Sequence, residues 1–201
     1  MSSDKKLLVL LIIFILGCYQ YLSDREVQRP PGVLVSAIPE QKILTEKPRP
    51  FPYKSVVINQ LAEYKIQARL LSTRKYWLGE SADIMPIDVA VGWNEMSDSA
   101  VLEELNISQA NRFYFYNWQG SGPIDKSIMN KTSANMHLIA SNTFVKNQIK
   151  KIRTGHIVKL SGQLVSVNFK DGRELKSSLS REDDGAGACE LMWVTSIEIL
   201  D

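Results

Sequence analysis

The sequence predicts an α+β domain built on a small, mostly antiparallel β-barrel, an OB-like barrel being one candidate. Short helices decorate it and an N-terminal hydrophobic helix precedes it. Three observations carry that expectation. An almost unbroken apolar run follows Lys5 and Lys6. Several strand-like segments come next, with short helical ones between them. A long strand, Ile157–Val167, runs V-x-L-x-G-x-L-V-x-V, a pattern common in such barrels, with a glycine placed to bend it.

The apolar run spans Leu7–Leu22, and no charge returns until Asp24. As a helix it reaches about 24 Å at 1.5 Å per residue, short of a hydrocarbon core of about 30 Å. About ten Leu, Ile, Val and Phe side chains still favour insertion by about 5 kcal/mol. Lys5 and Lys6 hold the start of the chain in the cytoplasm, so the rest is expected on the far side: an inner-membrane, single-pass protein with a periplasmic domain. No A-x-A cleavage site is suitably placed. Two fates fit. The segment stays as an uncleaved signal anchor, or Ile15-Leu16-Gly17-Cys18 acts as a lipobox and Cys18 carries the lipid.

After this anchor (1–22), residues 23–52 read as a Pro-rich linker. Pro30, Pro31, Pro39, Pro48, Pro50 and Pro52 forbid regular helix. A spacer is the simpler reading; a strip that docks Val33-Leu34-Val35 on the domain is the other. Residues 53–201 then suffice for one domain with one core. Composition is that of a globular protein, 44% hydrophobic and 23% charged, and the net charge of +2 gives no global field for nucleic acid. With two cysteines in all, a disulfide scaffold and a cysteine-based zinc site are excluded, and two histidines exclude a His-rich metal site. No cofactor is called for.

Within the domain, Val56-Val57-Ile58 and Tyr64–Leu71 read as strands, as does Pro86–Trp93. Ser97-Asp98 caps a short helix over Ala100–Leu105. Arg112–Trp118, nearly all aromatic, is the strongest strand signal and ends at Gly120–Pro123. A short helix near Ile124–Asn130, a strand Met136–Ile139 and a helix Thr143–Ile152 follow, the last stopped by Gly155. Asp171-Gly172 marks a hairpin turn, and Leu175–Leu179 and Cys189–Leu200 supply closing strands.

Five strings stand out: Ala68–Ser72, Pro86–Trp93, Met96-Ser97-Asp98, Ser133–Ile139 (SANMHLI), and Ser177–Arg181 (SSLSR) continuing to Gly187–Glu190 (GACE). Over most of residues 30–195 they resemble a family of small bacterial proteins with an N-terminal hydrophobic anchor and a Pro-rich spacer. The resemblance implies a bacterial origin and an envelope location and brings no catalytic chemistry with it. Gly155-His156 stands where that pattern has Gly-Asp.

Cys189 with His137 is the first catalytic pair to consider, with Asp183 or Asp184 as the group that orients the imidazole. Against it, Cys189 opens an apolar run, where a cysteine is usually a small hydrophobe. Ser177, Ser178 and Ser180 near Arg181 offer a serine alternative without nucleophile-elbow spacing. Glu182-Asp183-Asp184 reads as a solvated loop rather than a cation site. Ser133–His137 places Asn135 and His137 in an apolar neighbourhood, where they either lock a loop or line a pocket.

Charge favours binding: from Lys146 to Arg181 there are nine Lys and Arg against two acids. Lys146, Lys150, Lys151 and Arg153 gather on one predicted helix. The reading these features favour is a membrane-tethered, non-enzymatic binding or assembly module whose partners are the membrane, through its N-terminus, and another envelope protein. A tethered hydrolase using Cys189 or a nearby serine with His137 is one alternative. A nucleic-acid-binding barrel is another, disfavoured because export removes most such substrates.

Overall fold

The computed structural model describes residues 3–23, 25–46, 48–180 and 187–200. The elements are, in chain order, α1 (Ser3–Ser23), β1 (Glu40–Ile43), β2 (Phe51–Tyr53), β3 (Val56–Lys75), α2 (Glu80–Ile84) and β4 (Ile87–Gly92). Then come α3 (Ser99–Leu102), β5 (Asn106–Ala110), β6 (Phe113–Asn117), α4 (Lys126–Lys131), β7 (Ser133–Ala140) and α5 (Thr143–Ile149). The chain closes with β8 (Ile157–Phe169), β9 (Glu174–Lys176) and β10 (Glu190–Leu200).

Strand β3 organises the molecule. Its sequence alternates Val56-x-Ile58, then Ala62-x-Tyr64-x-Ile66-x-Ala68-x-Leu70, and all of these side chains are buried. They do not all face the same way. Leu61 is an extra residue against β8, and the register shifts there. Because side chains alternate with period two, one inserted residue swaps the faces. Val56 and Ile58 therefore join a core with Val165, Val167 and Trp193, while Ala62–Leu70 join the main core with Val89, Leu138, Leu160 and Met192. A second shift, between Leu70 and Ser72, hands Leu71 to a third cluster under the β5–β6 ribbon.

Eight strands form one sheet in the order β1-β3-β4-β7-β10-β8-β9, with β2 on β3. Strand β8 also lies along β3 over Val56–Arg69. All pairs are antiparallel except β7 with β10, which run parallel. Strands β5 and β6 make a separate two-stranded ribbon.

This corrects the expected class. The fold is mostly β, with a large mixed sheet, and not an α+β domain around a small, mostly antiparallel OB-like barrel. The parallel β7–β10 pair requires a long crossover, here carried through α5, β8 and β9. Such a pairing is invisible to local alternation. Gly162, expected as a bend, marks a close approach instead: a Cβ there would sit 1.9 Å from the Trp193 carbonyl oxygen on β10.

The Pro-rich stretch packs against the domain. Val35 is buried in the main core, and its carbonyl accepts from Asn94 N at 2.6 Å. Ser97 Oγ accepts from Leu34 N and Val35 N, and Ser99 Oγ donates to Arg29 O. Upstream, Val27 N donates to Thr154 O at 2.9 Å, and the chain presses so close to Gly155 (φ +86°) that a Cβ there would meet Val27 O at 2.0 Å. Residues 27–35 are thus a docked strap, the less simple of the two sequence readings, and β1 and β2 continue it as strands on β3.

Helix α1 is a second point of correction. Its described apolar face runs from Leu7 to Ile15, every side chain of it exposed. Among the described residues no helix is long and apolar enough to cross a membrane, so the expected transmembrane helix and single-pass topology are not supported.

Candidate functional site

The site is assembled by register. On β7 the residues Ala134, Met136, Leu138 and Ala140 enter the main core. Ser133, Asn135, His137 and Ile139 therefore face the other side. On β4, Ile87, Val89 and Val91 enter the same core, so Asp88 faces outward with His137, its Cα partner across the antiparallel pair. β10 runs parallel on the far side of β7, with Glu190 opposite Met136. Cys189, one residue before, arrives beside Asn135 and His137.

The ribbon brings a cation over this face. Asn111 (φ +51°) and Arg112 (φ +70°) form a two-residue turn between β5 and β6, both in the left-handed region, as tight hairpins of this kind require. The turn lays the Arg112 guanidinium 3.8 Å from the centre of the Tyr76 ring. Its Nη1 donates to Asp88 Oδ1 at 2.8 Å and to Met85 O at 2.9 Å.

Asp88 is fully buried and receives a second cation. His137 Nδ1 lies 2.8 Å from the same Oδ1, a short contact that is poorly aligned for a linear hydrogen bond. On its other flank lies Cys189, which lines the same cavity. Burial alone would lower the imidazole pKa. Contact with the Asp88 carboxylate and with Cys189 outweighs burial and pushes it up to about 9. The ring is thus protonated at neutral pH.

Asn135 fixes the sulfur. Its Nδ2 donates to Arg112 O at 2.9 Å and to Cys189 Sγ at 3.3 Å, while its Oδ1 accepts from Gln109 Nε2 at 2.9 Å. Those partners determine which way the amide points. Cys189 is half-buried and opens into a cavity of about 330 Å³ that His137 also lines. Phe113 and Leu175 give this cavity apolar walls, and Arg112, Arg173 and Lys176 give it positive charge.

A thiol beside an imidazolium that is itself held by a buried carboxylate is the arrangement that favours a nucleophilic sulfur. It suits attack on an electrophilic carbon. Among the described residues, no group of three or more His, Cys, Asp and Glu is placed to hold a metal ion.

The sequence had named two members of this cluster, His137 and Cys189, and had weighed Asn135 beside them. It missed Asp88 and Arg112. Asp183 and Asp184, expected to orient the imidazole, lie outside the described residues, with Arg181 and Glu182; the carboxylate at His137 is that of Asp88. Asp88 carried a signal of its own: an acid inside Pro86-Ile87-Asp88-Val89-Ala90-Val91, a run apolar enough to be buried, demands a charged partner.

The serines have structural roles. Ser177 Oγ donates to Ser178 O and accepts from Leu191 N, and Ser178 N donates to Cys189 O, so this pair clamps the chain around Cys189. The four basic residues expected on one helix are dispersed. Lys146 and Lys150 border a different cavity, Lys151 points to solvent, and Arg153 Nε lies 3.4 Å from His156 Nε2. Cys18 falls in α1, with its side chain outside the described set. Comparison of the chain with protein families, curated proteins and solved structures gave no match.

Proposed function

We propose that this protein is a cysteine-dependent acyl-transfer enzyme, a hydrolase where water is the acceptor, with Cys189 as nucleophile and His137 as acid and base. The observation that carries the proposal is the chain Cys189–His137–Asp88 facing a cavity of about 330 Å³. It is preferred to the non-enzymatic binding module suggested by charge, because a structural cysteine needs neither the imidazolium nor the opening.

The steps follow from the geometry. Cys189 attacks as the thiolate, its proton having passed to solvent; Sγ bonds to the carbonyl carbon of an ester, thioester or amide, and the carbonyl electron pair moves to oxygen. As the tetrahedral adduct collapses, His137 gives its proton to the leaving group, and an acyl thioester remains on Cys189. Neutral His137 then takes a proton from water, hydroxide adds to the thioester carbonyl, and on collapse the Cys189 thiolate leaves, paired again with the His137 imidazolium, as the acid is released. Asp88 steadies the imidazolium throughout, and Asn135 Nδ2, bonded to Arg112 O and to Cys189 Sγ, holds the sulfur in position. Lys176, which borders the cavity beside the ion-paired Arg112 and Arg173, favours acyl groups that carry a negative charge.

The protein is held at a bilayer in this reading. Lys5 and Lys6 followed by nine exposed apolar residues support such attachment, and the extracytoplasmic, envelope location belongs to the same proposal.

The test uses the full chain in a Cys18→Ser background, with 4-nitrophenyl esters of succinate and of butyrate and intact-mass detection. An acyl adduct on Cys189, faster with the succinyl ester and slowed about a hundredfold or more by His137→Ala, is expected. Absence of any adduct, together with iodoacetamide alkylation of Cys189 that His137→Ala leaves unchanged, overturns the proposal.

A further inference from the structure

We propose that a second cavity, on the other side of Tyr76, binds a single-chain anionic amphiphile, its head in a collar of lysines and its tail on an apolar floor. The inference does not depend on the chemistry of Cys189.

The cavity holds about 440 Å³, within the range of roughly 300–1,000 Å³ usual for small-molecule sites. Ile87, Leu138 and Ile149, buried in the main core, lie directly beneath it. Three lysines from two places in the chain form the collar: Lys54 from the β2–β3 turn, and Lys146 and Lys150 from α5 and its C-terminal cap. One carboxylate residue, Asp83, is the sole acid of the lining. Lys54 Nζ donates to the backbone carbonyl of Asp83 rather than to its carboxylate.

Like charges thus converge around an apolar basin. The Lys54 ammonium shows the consequence: its pKa is lowered, first by burial and then by the charge of Lys146, with Asp83 offsetting part of the effect. A bound anion would relieve that repulsion. Lys54 reaches Lys146 and Lys150 from a turn some 90 residues earlier in the chain, so the fold brings them together.

The lip supplies the second half of the argument. Trp77 borders the cavity while 78% exposed, and Leu78 beside it is 93% exposed. Large apolar side chains left so open at the mouth of an apolar basin fit a ligand whose chain they would cover. A purely polar anion such as inorganic phosphate would use the collar and leave floor and lip unsatisfied. A neutral amphiphile would leave the collar unsatisfied. The combination selects a molecule with both.

Dodecyl phosphate, added as monomers to the full-length protein, is the probe. The expected result is saturable binding with a blue shift of tryptophan emission, and loss of that shift in Trp77→Phe, because Trp93 and Trp193 are buried and Trp118, half-buried, is stacked on Tyr116 and does not line the cavity. Dodecyl maltoside and inorganic phosphate should each bind at least about tenfold more weakly, a difference of about 1.4 kcal/mol. Lys146→Glu with Lys150→Glu should weaken dodecyl phosphate by a similar factor or more; both side chains are exposed, so folding is preserved and is checked by thermal melting. Equal affinity for the neutral detergent overturns the proposal, as does a charge-reversed variant that binds normally, since the ligand would then sit elsewhere, α1 included. Binding to phosphatidylglycerol vesicles without binding of monomers also overturns it, in favour of a membrane surface.

Discussion

The two cavities treat charge in opposite ways, although Tyr76, which lines one, stacks on Arg112, which lines the other. Around Cys189, negative Asp88 is buried and enclosed by Arg112 and His137, and Asn135 holds the sulfur. Each charge has its opposite within 3 Å or so, and the ensemble is complete without a ligand. Around the second cavity, Lys54, Lys146 and Lys150 converge, with Asp83 the one acid among the described lining residues. A reactive centre needs its groups fixed before substrate arrives. A binding site can leave its charge unbalanced, because the ligand restores the balance.

Breaking the closed network should therefore cost far more than altering the open one. The largest effect is expected for Asp88→Asn, which leaves Arg112 and His137 buried beside a neutral amide. Removing one member of a buried ionic group typically destabilises by about 3–5 kcal/mol. Urea denaturation of the variant should show a loss in that range. A loss below about 1 kcal/mol would mean that Asp88 does not hold the cluster together.

The next effect is in pH. The His137 pKa in the folded protein is raised to about 9, above its unfolded value of 6.5. Its contribution is then fully present below about pH 6.5 and is lost as pH rises through about 9, because the unfolded chain releases the proton first. The shift corresponds to something on the order of 3 kcal/mol at most. Stability measured at pH 7 and at pH 10 should fall by an amount that His137→Gln removes. No such decline is expected from the lysine-rimmed cavity, where deprotonation would relieve repulsion.

How much of this was legible in the sequence depends on whether the signal was local. Strands β4, β7 and β8 announced themselves through alternation or apolar runs, and His137 and Cys189 were visible as the histidine and cysteine nearest to distinctive motifs. Their meeting was not visible, since it depends on β10 lying parallel to β7, a pairing between segments some 50 residues apart. The carboxylate was sought next to Cys189, at Asp183 and Asp184, and is supplied by Asp88, which shares no sequence neighbourhood with either partner and reaches His137 by register alone. The basic residues failed in the other direction. Lys146, Lys150, Lys151 and Arg153 look like one face in sequence, yet α5 ends at Ile149, so Lys151 and Arg153 fall beyond the helix and point elsewhere. Lys54, which completes the collar, comes from the β2–β3 turn, which no pattern links to α5.

A smaller effect on reactivity tests the fixed half of the comparison. Asn135→Ala removes the hydrogen bonds to Cys189 Sγ and to Arg112 O while leaving the His137–Asp88 contact in place. Iodoacetamide alkylation of Cys189 should slow by about tenfold, against a hundredfold for His137→Ala, because orientation is lost and the imidazolium is kept. Equal losses in the two variants would make Asn135 part of the proton-handling pair rather than a positioning residue.

The smallest effect separates the cavities most sharply, because its sign is opposite. Lys54→Gln takes one cation out of the collar. Lys54 keeps a depressed pKa through burial and the charge of Lys146, so its ammonium is held at a cost in the empty protein. The glutamine variant should be slightly more stable than the wild type, by a few tenths of a kcal/mol, and the gain should shrink in high salt as screening weakens the repulsion between the lysines. The same variant should bind dodecyl phosphate less well. Stability and affinity would then move in opposite directions at one residue, as expected of charge kept for a ligand. If Lys54→Gln lowers both, the bond from Lys54 to the Asp83 carbonyl is structural, and the lysine collar is no more than a packing solution for α2.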